Sequence, residues 1–351
     1  MYRYYQSKLV AHKHIILNFS ALRSLEKTLQ NVKTKKDLFE KIDDLFIQYG
    51  HKETVHHVNR VTLIAHYIFK VFIQDDKNKL FLKNLTNKTI KEIEFLLGLA
   101  ARLHDIGKIL MPPNILYKGK EQKLTDFEFA LIKMHTRWGK VILKKLQKVI
   151  LDIADHEKYA HSDILQILQT PILDHHERPD GKGYPLKLKH LLDNIVNFLS
   201  GLIATADCFE AMVTKRCYKE KLPYAKLITE LKEGSGTQWH SIFVDIIIRE
   251  IHEISNELNK KLYTVRRYNG SIRIFMDDQE IAALARKYIT DREQTLKKLK
   301  KLVPDEAELE NILELLNSIS NSQLTVFVDQ KDEKRPMLLL KKEIPPAKEK
   351  N

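Results

Sequence analysis

Apolar residues recur at three- and four-residue intervals through most of the first 258 positions, and that period predicts one helix after another. Leu17, Leu22, Leu25 and Leu29 mark the first, and Leu38, Ile42, Leu45 and Phe46 the second. A third is predicted from about Glu53 to Phe72. Residues 92–109 form a strongly apolar stretch expected to be a buried helix, broken by Gly107 and closed by Pro112-Pro113. Thr125 with Glu128 reads as a capping box opening a helix that carries Ile132, His135, Trp138, Val141 and Ile142. Further helices are expected over 146–171, over Asn194 to Val213, and over Tyr224 to about Leu258.

The pattern then changes. Leu262 to Arg267 and Ser271 to Phe275 flank Asn269-Gly270, a strong hairpin signal. Helices are expected over 277–318, interrupted near Pro304, and Leu324–Val328 with Met337–Leu340 reads as a second hairpin. From Lys341 the chain is charged and Pro-containing, which predicts a disordered end. The fold class expected is mainly α, with a helical extension over 1–36, a helical core over 37–255, and a small α+β appendage over 256–351.

Composition narrows the class without naming a ligand. Charged residues make up 30% of 351 and the hydrophobic set 43%, an ordinary balance for a globular protein. Two cysteines, Cys208 and Cys217, provide no disulfide framework. The most apolar long window, Ile195 to Val213, is interrupted by Asn197, Asp207 and Glu210, so no membrane insertion is expected. The N-terminus lacks the features of a signal peptide, and a cytoplasmic location is the expectation. The net charge of +13 favours anionic partners, but the lysines are dispersed, so it reads mainly as a solvated surface, with no DNA partner expected.

The candidate chemistry lies in histidines and carboxylates placed where a core resists them. His175-His176 open an eleven-residue stretch, HHERPDGKGYP, whose second half is turn chemistry: Asp180-Gly181 favours a turn, Gly183 permits positive φ, and Pro185 stiffens the exit. Adjacent buried imidazoles each need a partner, and a metal supplies one. His104-Asp105 ends a buried helix, where Asp can bridge two metals and His can ligate one. Lys108 follows one turn later, within reach of a phosphate oxygen. Glu53 and His57 share a helix face at i,i+4, whereas His56 points about 100° away and reads as structural or exposed. His135 sits on an apolar stripe, and Asp207 inside an apolar helix needs a cation. Asp155-His156 lies in charged surroundings and reads as a solvated face.

Taken together, these motifs resemble the HD-GYP branch of the HD metal-dependent phosphohydrolases, which hydrolyse cyclic di-GMP. HDIGK at 104–108 matches the HD-x-GK signature, and HHExxDGxGYP is intact from His175 to Pro185. The likeness covers roughly residues 37–255. It implies an HD-type helical bundle with metal ligands at His57, His104, Asp105, His135, His175, His176 and Asp207. Glu53 matches the extra carboxylate of members that hold three metals instead of two. Lys108, Arg216 and Lys219 fall where the family places phosphate- and guanine-contacting side chains, and Tyr184 lies on the GYP loop beside the substrate.

Three departures stand out: a longer stretch between His135 and His175, Glu210 where Asp is common, and no N-terminal receiver or sensor domain. An oxygen and nitrogen ligand set without thiolate suits iron or manganese better than zinc. The implied reaction is attack on phosphorus by a metal-activated water with Asp105 and Lys108 as catalytic residues, giving pGpG or GMP. Cyclic GMP-AMP as substrate, or a non-catalytic cyclic-di-GMP-responsive module, are the alternatives. Homodimerisation and a diguanylate cyclase partner at the GYP loop are the partner expectations.

Overall fold

The computed structural model describes residues 17–30, 32–118, 122–159, 163–214 and 222–259, and the strand segments 263–268, 271–276, 324–328 and 337–342. The chain divides into two compact units, Met1–Ile254 and Ser255–Asn351. In chain order the helices are α1 (Ser20–Thr28), α2 (Lys35–Gln48), α3 (Lys52–Phe72), α4 (Asp76–Leu85), α5 (Ile90–Leu103), α6 (Pro113–Leu116), α7 (Asp126–Lys133), α8 (His135–His156), α9 (Ile164–Asp174), α10 (Ile195–Val213), α11 (Tyr224–Gly234), α12 (Ser241–Arg249) and α13 (Ile251–Asn259). A 3-10 turn over Ile106–Leu110 links α5 to α6.

Local chemistry sets the starts of these helices. Capping boxes open α2 (Thr34 with Asp37), α5 (Thr89 with Glu92) and α7 (Thr125 with Glu128), each satisfying backbone N–H groups that lack a helical partner. Asn194 caps α10 by accepting from the Asn197 N–H. In the first unit α3, α5 and α10 pack on one another, α9 packs on α5, α8 and α10, and α8 packs on the 3-10 turn. Leu38, Ile64, Ile68, Leu97, Leu99, Leu103, Phe198, Leu202 and Phe209 are fully buried between them. The aromatic rings of Phe72, Phe198 and Phe243 cluster at one end, with centroids 5.2–6.2 Å apart.

Among the described residues α10 is the one helix long and apolar enough to cross a membrane, yet 67% of its most apolar window is buried inside this protein. It is a core helix that lends two carboxylates to a polar site.

The helix boundaries differ from the periodicity reading in two places. The helix begun at Thr125 pauses at Met134, and α8 then runs unbroken to His156, because Leu143, Leu146, Ile150 and Ile153 keep its buried stripe in phase. Gly107 breaks no helix. A Cβ there would stand 1.8 Å from the His135 carbonyl oxygen and 2.6 Å from the Gly139 nitrogen, so the glycine lets two backbones touch.

The second unit contains an antiparallel four-stranded sheet of β1 (Tyr263–Tyr268), β2 (Ser271–Met276), β3 (Leu324–Val328) and β4 (Met337–Lys342) in the order β1-β2-β4-β3. Both expected hairpin pairings are present, with Tyr268 opposite Ser271 and Val326 opposite Leu340. The helices expected over 277–318 lie outside the described residues; of the end expected to be disordered from Lys341, Lys341 and Lys342 instead belong to β4, and the rest lies outside them.

Candidate metal centre

Asp105 sits at the junction of α5 and the 3-10 turn, 1% exposed, with its two oxygens turned to different histidines. Oδ2 is 3.3 Å from His57 Nε2 and 3.4 Å from His104 Nε2. Oδ1 is 3.2 Å from His135 Nε2 and 3.9 Å from His175 Nε2. Asp207 reaches in from α10, its Oδ1 3.1 Å from His57 Nε2. Two triads of donor atoms thus form side by side: His57, His104 and Asp105, and His135, His175 and His176. The atoms within each triad lie within 4.8 Å of one another.

The outward nitrogens fix the tautomers. His104 Nδ1 is 2.8 Å from the Ala101 carbonyl, His135 Nδ1 2.7 Å from that of Ile132, and His175 Nδ1 3.1 Å from that of Pro171. His57 Nδ1 lies 2.7 Å from Glu210 Oε2. A carbonyl or carboxylate only accepts, so each Nδ1 carries a proton, and each Nε2 faces the centre. Burial holds His135 down at about 3 and His176 at about 4, and lowers His175 well below the ordinary imidazole value, so these rings are neutral at pH 7. Burial pushes the Asp105 carboxyl up, but Lys108 and His104 outweigh it and hold the group well below the usual carboxylate range. Asp207 is likewise lowered against its burial, by His57.

This donor set fits divalent metal ions. His104 Nε2 and Asp105 Oδ1 are buried and make no hydrogen bond, an expensive arrangement unless a cation satisfies both. Neutral imidazoles and ionised carboxylates are the protonation states a metal requires. The Lys108 ammonium pairs with Asp105 Oδ2 at the rim.

The GYP loop is built against this cluster. The Tyr184 ring stacks on that of His176, centroids 4.6 Å apart and planes 28° apart. Burial and the nearby Asp207 and Asp105 charges raise its phenol well above the ordinary value, so it stays a donor. Glu177 ties the loop down by accepting backbone N–H bonds from Leu186, Lys187 and Leu188. Arg178 grips Asp180 with two hydrogen bonds of 3.0 and 2.6 Å. Positive φ falls on Gly181 (+75°), not on Gly183 as the sequence suggests. Gly183 is needed for contact: a Cβ there would stand 2.4 Å from the His176 carbonyl oxygen.

Seven of the expected ligands converge. Glu53 lies one turn before His57 on α3, half-buried, and joins neither donor triad among the described residues. Arg216 and Lys219 lie outside the described residues. His56 is buried, while Asp155 and His156 are exposed, as their surroundings imply. Sequence reasoning missed the roles of Glu210 and Arg60. Glu210 is fully buried and splits its oxygens between His57 Nδ1 and Arg60 Nε, both at 2.7 Å. The signal was present: Arg60 follows His57 by three, and Glu210 follows Asp207 by three, so each pair shares a helix face.

Comparison with known proteins agrees with this geometry. Residues 83–240 match the HD domain family. A cyclic di-GMP phosphodiesterase of Thermotoga maritima is 32% identical over 70% of this chain and 59% of its own length. A cyclic di-GMP phosphodiesterase of Vibrio cholerae is 30% identical over 66% of this chain and 43% of its own. A 3'3'-cGAMP-specific phosphodiesterase of the same organism is 28% identical over 64% and 38%. The chain spans less than two thirds of each relative's length.

A helical bundle with an HD pair facing clustered imidazoles, matched over residues 83–240, defines the class: the chain carries an HD domain. With its intact GYP loop and relatives named cyclic di-GMP phosphodiesterases, the chain is similar to the HD-GYP branch of that family.

Proposed function

We propose that residues 37–255 form a phosphodiesterase that hydrolyses cyclic di-GMP. The observation that carries the reading is Asp105, whose two oxygens each face a separate set of imidazoles. His57, His104, Asp105 and Asp207 would hold one divalent ion, and Asp105, His135, His175 and His176 a second, with Glu53 available to a third. Oxygen and nitrogen ligands without thiolate favour iron or manganese. Bound metals supply Lewis acidity for the phosphoryl oxygen and lower the pKa of a water.

The chain's own residues do the rest. Asp105 holds the two ligand sets in register, and Lys108, beside its Oδ2, neutralises charge growing on the non-bridging phosphoryl oxygens. Tyr184 donates from the loop side, and Arg216 and Lys219 bind phosphate or guanine. Water adds to phosphorus, the bond to the 3′ oxygen breaks, and that oxygen leaves with a proton, giving pGpG. A second water gives two GMP.

Cyclic GMP-AMP is the second reading, favoured by the relative that acts on it. Cytoplasmic location and homodimerisation complete the reading. The leucines exposed on the GYP loop, Leu186, Leu188 and Leu191, offer a place for a diguanylate cyclase to dock.

The test is metal content and product analysis on purified protein given cyclic di-GMP, beside Asp105→Ala. Bound metal with conversion to pGpG or GMP, both lost in the variant, is the expected result. Metal-loaded protein that leaves cyclic di-GMP intact but cuts cyclic GMP-AMP moves the assignment to the second reading. Protein that holds no supplied metal and cuts neither overturns the enzyme.

A further inference from the structure

Lys133 ends α7, two residues before His135, and has no role in the metal centre. Its ammonium lies 4.3 Å from the ring centroid of Phe129 and 5.6 Å from that of Tyr184. Among the described residues it makes no ion pair, whereas Lys108 is engaged by Asp105 and Lys118 by Glu128. Phe129 is a large apolar side chain left 48% exposed. A cation resting on two aromatic rings, one of them stacked on the His176 ring, therefore stands at the edge of the cluster with its charge unmatched.

A purine offers a π-face for stacking and an edge for hydrogen bonding. An ammonium only donates. On its major-groove edge guanine presents O6 and N7, both acceptors, while adenine replaces O6 with an N6 amino donor. The position favours the first base, which offers two acceptors, over the second, which offers N7 alone beside a donor.

We infer that Phe129, Lys133 and Tyr184 form a subsite that reads guanine and sets the preference for guanine- over adenine-containing cyclic dinucleotides. This rests on the phosphodiesterase reading and assigns its base specificity. Lys133 is a specificity residue here and takes no part in bond cleavage.

The experiment compares kcat/KM for cyclic di-GMP and cyclic di-AMP in metal-loaded wild type, Lys133→Met and Lys133→Arg, with metal content measured on each. It also asks which bond of 3′3′-cyclic GMP-AMP is cut. Lys133→Met should keep its metal, lose about tenfold in the cyclic di-GMP to cyclic di-AMP ratio, chiefly through KM, and release both linear isomers where wild type releases mainly one. Lys133→Arg, still a donor, should restore both. An equal fall for the two substrates makes Lys133 a phosphate contact and overturns the subsite, as does an unchanged ratio. Wild type that cuts cyclic di-AMP as well as cyclic di-GMP leaves the phosphodiesterase standing and removes the subsite. Wild type that cuts no cyclic dinucleotide overturns both.

Discussion

The carboxylate of Glu210 touches no presumed metal position, yet it decides where His57 points. With Oε2 on His57 Nδ1 and Oε1 on Arg60 Nε, it fixes the imidazole's tautomer and its rotation about χ2. Glu210→Ala should lower metal affinity by about 10- to 100-fold, read as metal retained after dialysis against a graded chelator series. Glu210→Asp, shorter by one methylene, should recover part of the loss. At this scale the sequence was plain about ligands and offered only a three-residue spacing for what aims them. His175-His176 and His104-Asp105 stand out because adjacent polar groups in apolar context demand a partner. Glu210 does not, because a carboxylate next to an alanine-rich turn looks the same whether it faces solvent or a buried histidine. Lys133 escaped for the same reason: its meaning depends on Tyr184, which lies 51 positions away (184 − 133).

Among the elements, the join between the 3-10 turn and α8 is where metal geometry and packing coincide. Gly107 rests directly on the backbone of His135 and Gly139, atoms that cannot rotate aside as a side chain can. Gly107→Ala must push α8 outward and carry His135 away from Asp105. The expected cost is about 1–3 kcal/mol or more, with weakened metal binding, measured by urea unfolding of the metal-free protein and by metal titration. Gly181→Ala offers the contrast. Its strain is local, from φ of +75° on the loop, so it should cost about 1–2 kcal/mol and leave metal binding unchanged. Periodicity located the helices that bear these residues. It could not report the close approach, because two glycines facing each other across segments leave no mark in a hydrophobic pattern.

For the whole molecule, the response to acid follows from a second histidine pair. His190, on the loop before α10, and His240, at the start of α12, share one proton between Nδ1 and Nε2 at 3.0 Å. Burial holds both down at about 4, the His190 charge adding to the effect on His240 and Asp193 opposing it on His190. Unfolded histidines titrate near 6.5, so between pH 4 and 6.5 the unfolded chain binds more protons than the folded one. Stability should therefore be complete above about pH 6.5 and fall as the pH drops toward 4. Thermal midpoints across that range should show it, and His240→Gln should flatten the slope. The mainly helical class, the C-terminal hairpins and the order of the ligand segments were all legible in the sequence. How α3 and α10 meet was not, since contacts between distant helices are set by shape. That meeting also fixes the timing of assembly. His57 and Glu210 are separated by 153 residues. At a ribosomal pace of roughly 5–20 residues per second, the histidine waits roughly 8–30 s for the carboxylate that aims it. During synthesis the first half of the centre is thus an unfinished chelator, and it closes only when α10 clears the exit tunnel.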